Sequence, residues 1–125
     1  MPKRILVVDD DPTSLKFTAS TLTPLGYQIK TAAHAEDIES VARSFQPDCI
    51  IMDLIMPEVD GNQAVQRLQQ DKALNRIPVI FLTGVNMRDD ERGIEFEINV
   101  GNKNYRTLIK PIDAKKLSAE IEAAI

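Results

Sequence analysis

The chain has 125 residues, 43% of them hydrophobic, which suits one domain over residues 1–125 that buries a core without disulfides. Its single cysteine rules out an internal disulfide framework, and a net charge of −4 with 5% aromatic residues argues against direct nucleic-acid binding. No apolar stretch approaches the ~20 residues that cross a bilayer, and no signal-peptide pattern opens the chain, so we expect a cytoplasmic protein without a membrane segment.

The first half of the chain alternates between strand and helix patterns. Residues 5–8 form a short apolar run rich in β-branched side chains, which is typical of a strand buried on both faces. Asp11 precedes a proline as a helix N-cap would, and apolar residues recur at helical spacing from 15 to 25 until a glycine follows. A more exposed strand is predicted over residues 27–31, and a second helix over residues 35–45.

The second half continues the same alternation. Two more buried strands are predicted over residues 49–52 and 79–82, with a third helical stripe over residues 64–68 between them. Residues 108–109 indicate a fifth strand, from a shorter and therefore weaker apolar pattern. Asp113 is placed to cap a last helix, whose apolar residues at positions 117, 121 and 125 share one face.

Strands that alternate with helices predict a parallel sheet covered on both faces, because parallel strands need crossover connections. Five such strands suggest an α/β fold, a flavodoxin-like doubly wound sheet of order 2-1-3-4-5. Residues 94–100, however, alternate with period two where a fourth helix is expected. We expect that helix to be short, irregular or replaced; in a strand, apolar residues 94, 96, 98 and 100 would share one side.

Polar residues fall where the predicted strands end. Asp9 and Asp10 follow the first strand, Asp53 ends the third, Thr83 ends the fourth, and Lys110 follows the fifth. Carboxyl ends of parallel strands meet at one edge of an open sheet, which is where such sheets place their ligands. We therefore expect these five side chains to converge on one small site.

Three carboxylates at one site favour a bound cation. At ~5 Å separation and an effective dielectric of ~20, each ionised pair costs on the order of 3 kcal/mol. Oxygen ligands without histidine or cysteine point to Mg²⁺, and phosphoryl transfer is chemistry that needs this metal. A carboxylate can act there as the nucleophile, for which Asp53 is the candidate. Lys110 would bring a positive charge and Thr83 a hydroxyl donor, while Gly84 leaves the approach open.

Four motifs together resemble the receiver domains of response regulators, the CheY-like family of two-component signal transduction. They are Ile-Leu-Val-Val-Asp-Asp-Asp over residues 5–11, Asp-Leu-Ile-Met-Pro over 53–57 followed by Asp60-Gly61, Phe-Leu-Thr-Gly over 81–84, and Lys110-Pro111. Each motif alone is weak, but all four in this order at strand ends are specific. The resemblance implies a receiver phosphorylated on Asp53, with Thr83 as its switch hydroxyl and Lys110 as its phosphate partner.

The resemblance also implies a metal site and a set of partners. Asp10 and Asp53 would bind Mg²⁺ directly, Asp9 mainly through water, and the backbone carbonyl of Ile55 would be a further ligand. The phosphoryl group would come from a histidine kinase or a phosphotransfer protein, and the signal would pass to an effector protein or a fused domain. Such a domain is a phosphoacceptor that promotes its own phosphorylation and dephosphorylation rather than an enzyme. The sequence leaves the cognate kinase, the output and the oligomeric state open.

Two features depart from the family pattern. The interval from Thr83 to Lys110 is longer than usual and contains the period-two stretch. The family's switching aromatic normally lies three residues before the lysine, where this chain has Thr107, while Tyr105 lies five before. The usual coupling between the threonine and an aromatic residue is therefore open for this chain.

Two alternatives come from other classes. Residues 9–13 fit the Asp-x-Asp-x-Thr signature of haloacid-dehalogenase-type phosphatases, which would make Asp9 the nucleophile of an enzyme. Such enzymes need another acidic strand end after Lys110, where the chain predicts a helix, and this reading leaves Asp53 unexplained. A flavin- or nucleotide-binding protein would need a phosphate-binding loop rich in glycine or hydroxyl residues after the first strand, and the chain has none there.

Overall fold

The computed structural model describes residues 2–53, 61–83, 95–109 and 113–125, which form one mixed sheet and the helices that cover it. The strands are β1 (Arg4–Val8), β2 (Gln28–Ala32), β3 (Cys49–Asp53), β4 (Val79–Thr83), β5 (Glu95–Val100) and β6 (Lys103–Ile109). The helices are α1 (Pro12–Leu22), α2 (Ile38–Phe45), α3 (Gly61–Gln70) and α4 (Ala114–Ala124), with 3₁₀ turns at Thr23–Leu25 and Ala35–Asp37.

Side-chain caps define the starts of α1 and α4. The Asp11 carboxylate accepts a hydrogen bond from the Thr13 amide at 3.1 Å, and Pro12 occupies the first helical turn. At α4 the Asp113 carboxylate accepts from the Lys116 amide at 2.7 Å. Each cap satisfies an amide that would otherwise lack a partner inside the helix, so both predicted caps are confirmed.

The sheet has the order β2-β1-β3-β4-β6-β5. Its first five members are parallel, and β6 occupies the place predicted for the fifth strand, so the order 2-1-3-4-5 is confirmed. The prediction of five strands is incomplete, because β5 adds a sixth, antiparallel strand outside β6. Period-two alternation indicates a strand but does not identify the strand with which it pairs, which is why the sequence left this addition open.

Two apolar layers enclose the sheet. One layer joins one face of the strands to α2 and α3, and it includes Met52, Phe81 and Tyr105. The other joins the opposite face to α1 and α4, and it includes Ile51 and Leu108. Because β1, β3 and β4 contribute to both layers, they are buried on both faces, as their continuous apolar runs predict.

The β5–β6 hairpin lies in the interval where a fourth crossover helix was expected, and residues 84–94 of that interval lie outside the described residues. Val100 pairs with Lys103, and the two intervening residues, Gly101 and Asn102, both have positive φ angles of 59° and 69°, as a type I′ turn requires. The backbone of Glu95–Val100 is a strand, and Val100 is buried while Ile98 packs against the α2–α3 layer, which confirms the predicted alternation over residues 97–100. Ile94, the first residue of the predicted stretch, lies outside the described residues.

Cys49 is a core residue, as expected. Its side chain is fully buried in the α1–α4 layer and forms no disulfide, and burial raises the pKa of its thiol to about 12. In the part of the chain that the structure describes, no helix combines the length and the apolar character needed to cross a bilayer.

We predict that Gly101→Ala lowers the free energy of unfolding by more than the roughly 1–2 kcal/mol that a left-handed backbone alone costs a residue with a Cβ. A Cβ at residue 101 would have a left-handed backbone and would overlap the Gln69 side-chain oxygen, while the amide of Gln69 is held by hydrogen bonds to the Val100 carbonyl and the Tyr105 hydroxyl. Urea denaturation would measure the loss. Gly26→Ala is the matched control, because φ is 93° there but, apart from its chain neighbours, no atom of the described residues lies within 4 Å of the added Cβ. An equal loss at both glycines would contradict the contact with Gln69.

Candidate functional site

Three acidic side chains meet at the carboxyl ends of β1 and β3. Asp9, Asp10 and Asp53 each offer one carboxylate oxygen, and these atoms all lie within 4.8 Å of one another. Asp9 is buried, with 3% of its surface exposed, whereas Asp53 is half-buried and Asp10 is more open to solvent. The predicted convergence of these three residues is therefore present in the structure, and their oxygens are close enough to share one small cation.

Local backbone contacts fix the β1 side of this site. The Asp9 amide donates to the Ala32 carbonyl at 3.2 Å, which extends the β1–β2 ladder by one residue. The Asp9 carboxylate accepts from the Asp11 amide at 3.0 Å, and this contact turns the chain sharply before α1 begins. Asp9 is thus both a member of the acidic cluster and a part of the turn, while Asp11 caps the helix instead of joining the cluster.

Sheet register fixes the β3 side. Met52 pairs with Val8 on β1 and with Phe81 on β4, so Asp53 ends its strand level with the residue that follows Val8. Because these strands are buried on both faces, their register is strongly specified. The position of Asp53 beside Asp9 therefore follows from the packing of the core.

The acidic cluster is electrostatically unfavourable without a cation. At ~4.8 Å and an effective dielectric of ~20, each ionised pair repels by on the order of 3 kcal/mol, less where water screens it. Oxygen donors with no histidine or cysteine in the cluster match the ligand preference of Mg²⁺. The residues present therefore fit that metal.

Thr83 brings a polar group to the same edge from β4. Its side chain is 2% exposed, and within the described part of the chain its hydroxyl oxygen has no hydrogen-bond partner. A buried hydroxyl without a partner costs about 1–3 kcal/mol. Such an atom at the end of a strand is what a site for an acceptor ligand would contain.

Three predicted site residues lie outside the described residues. They are Ile55, Gly84 and Lys110, so the backbone carbonyl ligand, the open approach and the phosphate partner stay predictions. Of the predicted set, the structure places Asp9, Asp10, Asp53 and Thr83 at the carboxyl edge of the sheet.

The position of the family's switching aromatic is occupied by a small, enclosed residue. Thr107 is fully buried in β6, where it pairs with Phe81 on β4 and with residue 96 on β5. The nearby aromatic, Tyr105, is 5% exposed and packs edge-to-face against Phe81, with ring centroids 5.8 Å apart. The structure therefore shows a buried, packed aromatic at residue 105 and none at residue 107.

Sequence reasoning missed Gln69 on α3. Its amide donates to the Tyr105 hydroxyl at 2.7 Å and to the Val100 carbonyl at 2.8 Å, which joins α3 to the hairpin. A glutamine on the polar side of a helix carries no signal of such a contact in the sequence. Only the observed pairing of β5 with β6 brings its two acceptors together.

Comparison with known proteins identifies the family. A family model described as the response regulator receiver domain matches residues 5–122. The chain is 34% identical to protein PilH of Pseudomonas aeruginosa over 122 residues, which is 98% of this chain and 97% of that protein. It is 33% identical to the DNA-binding transcriptional regulator RpaA of Synechocystis, in a match that covers 98% of this chain but only 48% of that protein.

A solved structure shares the fold. The receiver domain of sensor histidine kinase PA1611 from Pseudomonas aeruginosa, solved with a magnesium ion coordinated in its active-site cleft, superimposes with a TM-score of 0.78. That match covers 99% of this chain and 98% of the solved one at 22% sequence identity, a level that shows a common fold.

We predict that Asp10→Asn raises the free energy of unfolding, by about 1 kcal/mol in the presence of a chelator, because it removes like-charge repulsion from the cluster. Asp11→Ala is the comparison from the neighbouring residue: it removes a charge too, but it also removes the α1 cap and should lower stability by about 1 kcal/mol. Urea unfolding in EDTA measures both. Destabilisation by Asp10→Asn would contradict the repulsion.

Proposed function

The chain belongs to the response regulator receiver domain family, and we propose that it is a single phosphoacceptor domain that takes a phosphoryl group onto Asp53 in a Mg²⁺-dependent reaction. The observation that carries the proposal is the meeting of the Asp9, Asp10 and Asp53 carboxylates within 4.8 Å at the sheet edge. The buried hydroxyl of Thr83 at the end of the adjacent strand, which has no hydrogen-bond partner among the described residues, supports it.

The acidic cluster would hold the metal. Asp10 and Asp53 would be direct ligands, and Asp9, with the backbone carbonyl of Ile55, would complete the protein's share of the site. When bound, Mg²⁺ neutralises charge on the transferring phosphoryl group and orients it. The magnesium ion described for the receiver domain of PA1611 supports this assignment, since that domain has the same fold.

Asp53 would be the nucleophile. Its half-buried carboxylate would attack the phosphorus of a phosphohistidine, forming a phosphorus–oxygen bond as the phosphorus–nitrogen bond breaks. The bonding electrons stay with the imidazole nitrogen, which leaves. Asp53 ends a strand that is buried on both faces, so its carboxylate is held in place and little reorganisation is needed for in-line attack.

Three further residues would bind the transferred group. The Thr83 hydroxyl would donate to a phosphoryl oxygen and so gain the acceptor that it lacks among the described residues. Lys110 would neutralise a second oxygen, and Gly84 would leave room for the group to enter. The negative charge that phosphorylation adds would draw Thr83 towards the phosphoryl group, which is the start of the switch.

We also propose the partners that go with such a domain. The phosphoryl donor would be a histidine kinase or a phosphotransfer protein, and the recipient of the signal an effector protein or a fused domain. The chain spans about half the length of RpaA and nearly the whole of PilH, so both arrangements have a precedent among its relatives.

The proposal predicts one phosphorylation site. Incubation with acetyl phosphate and Mg²⁺ should add one hydroxylamine-labile phosphoryl group, visible by mass spectrometry, and Asp53→Asn should reduce the labelling to background because the acyl phosphate can no longer form. Circular dichroism would establish that the variant is folded. Label that maps to Asp9 and persists in Asp53→Asn would overturn the proposal in favour of a phosphatase-like nucleophile.

Metal binding gives a second prediction. Asp10→Asn should weaken the binding of Mn²⁺, used as a paramagnetic substitute for Mg²⁺, by roughly tenfold, since a direct carboxylate ligand is lost. Asp11→Asn is the matched control: it removes one charge at the next residue while keeping a side chain able to cap α1. Water-proton relaxation measures the affinity for Mn²⁺. If both variants weakened Mn²⁺ binding equally, the effect would come from net charge alone, and Asp10 would not be a direct ligand.

A further inference from the structure

Among the strands that the structure describes, β5 is the outermost, and part of its backbone is directed away from the sheet. Val100 and Lys103 flank a two-residue turn, so they form a hydrogen-bonded pair that exchanges both amide–carbonyl bonds. Hydrogen-bonded and non-hydrogen-bonded pairs alternate along an antiparallel ladder, so Ile98 and Tyr105, which lie opposite each other, also form a hydrogen-bonded pair. Glu97 and Asn99 lie in the intervening pairs, and their N–H and C=O groups therefore face the outer edge of the sheet.

From this arrangement we infer that β5 pairs with β5 of a second copy of the chain, antiparallel and about a two-fold axis at Ile98. In that register Glu97 of each copy lies opposite Asn99 of the other, and both residues use their outward N–H and C=O groups. The two contacts make four backbone hydrogen bonds and join two six-stranded sheets into one. An isologous contact of this kind closes on itself and leaves no β5 edge exposed.

Charge selects this register over its neighbours. A two-fold axis at residue 97 would oppose Glu97 to Glu97 of the second copy, and directly opposed like charges destabilise a sheet. An axis at residue 99 would oppose Glu97 to Gly101 in the turn, where the chain no longer runs as a strand. With the axis at Ile98, each Glu97 faces a neutral amide, and Arg106 lies beside it on β6.

The hairpin is also held ready for such pairing. The side-chain amide of Gln69 donates hydrogen bonds to the Val100 carbonyl and the Tyr105 hydroxyl. The side-chain amide of Asn99 donates to the side-chain oxygen of Asn104 at 3.0 Å. An edge that is already ordered loses less entropy on association. The opposite edge of the sheet, β2, carries Lys30 at its centre, and lysine on an edge strand is a common obstacle to pairing.

Charge variants at one exposed residue test the inference. Sedimentation equilibrium on the full chain should show a monomer–dimer equilibrium. Asn99→Lys would place a cation opposite Glu97 of the other copy and should strengthen dimerisation, whereas Asn99→Glu would place an anion there and should weaken it. Because the contact occurs twice, we expect the two dissociation constants to differ by about tenfold or more. Both variants lose the Asn99 side-chain amide that bonds Asn104, so the loss of that group is common to the two.

Asn104 supplies the matched control. It is exposed beside Asn99 on β6, one strand in from the edge, so Asn104→Lys and Asn104→Glu should leave the two dissociation constants within about twofold of each other. A chain that stays monomeric to millimolar concentration would overturn the inference. Dimers equally insensitive to charge at residues 99 and 104 would place the interface elsewhere and would overturn it too.

Cross-linking tests the position of the axis. The Ile98 pair would be of the non-hydrogen-bonded kind, with Cα atoms about 4.5 Å apart, so Ile98→Cys should form a disulfide-linked dimer on mild oxidation. In Asn99→Cys the thiol is more exposed, but the two copies of residue 99 would be about 7–8 Å apart and should link poorly. Cys49 is fully buried and does not compete. Faster disulfide formation by Asn99→Cys than by Ile98→Cys would exclude a two-fold axis at Ile98.

Discussion

The candidate site depends on one constraint, the parallel register of β1, β3 and β4. Val8, Met52 and Phe81 align across these strands, and all three are buried, so a slip of one residue would exchange the side chains of the two core layers. Asp9 and Asp53 are the first polar residues beyond that aligned row. The hydrophobic pattern that stabilises the sheet therefore also decides which carboxylates meet, and no contact among the carboxylates themselves is needed to bring them together.

The same constraint explains how a repulsive cluster persists in a folded chain. Three carboxylates within 4.8 Å oppose folding, yet their positions are set by strands buried in two apolar layers and by the bonds of Asp9 to Ala32 and Asp11. Burial of a few large side chains offsets repulsion of this size, since each contributes roughly 1.5–3 kcal/mol. Stability given up at one edge of a sheet is typical of sites built to bind a ligand.

Much of this could be predicted from the sequence. Continuous apolar runs indicated β1, β3 and β4, and Asp11 and Asp113 marked two helix starts, because these signals are local. The strand β6 was predicted only at residues 108–109 but begins at Lys103, since its first four residues are mostly polar and their strand conformation depends on pairing with β5. Gln69 was missed for a similar reason: its hydrogen-bond partners exist only after the hairpin has formed.

The added strand also changes what residue 107 can be. In a sheet that ended at β6, that position would border solvent, and an aromatic side chain there would have room to turn. Here β6 lies between β4 and β5, and Thr107 is fully enclosed with its hydroxyl donating to the Tyr105 carbonyl at 3.3 Å. A packed interior resists a side chain that must swing, because close packing leaves little free volume. The aromatic at residue 105 is instead packed against Phe81 and hydrogen-bonded to Gln69, so the small residue at 107 suits a strand enclosed on both edges.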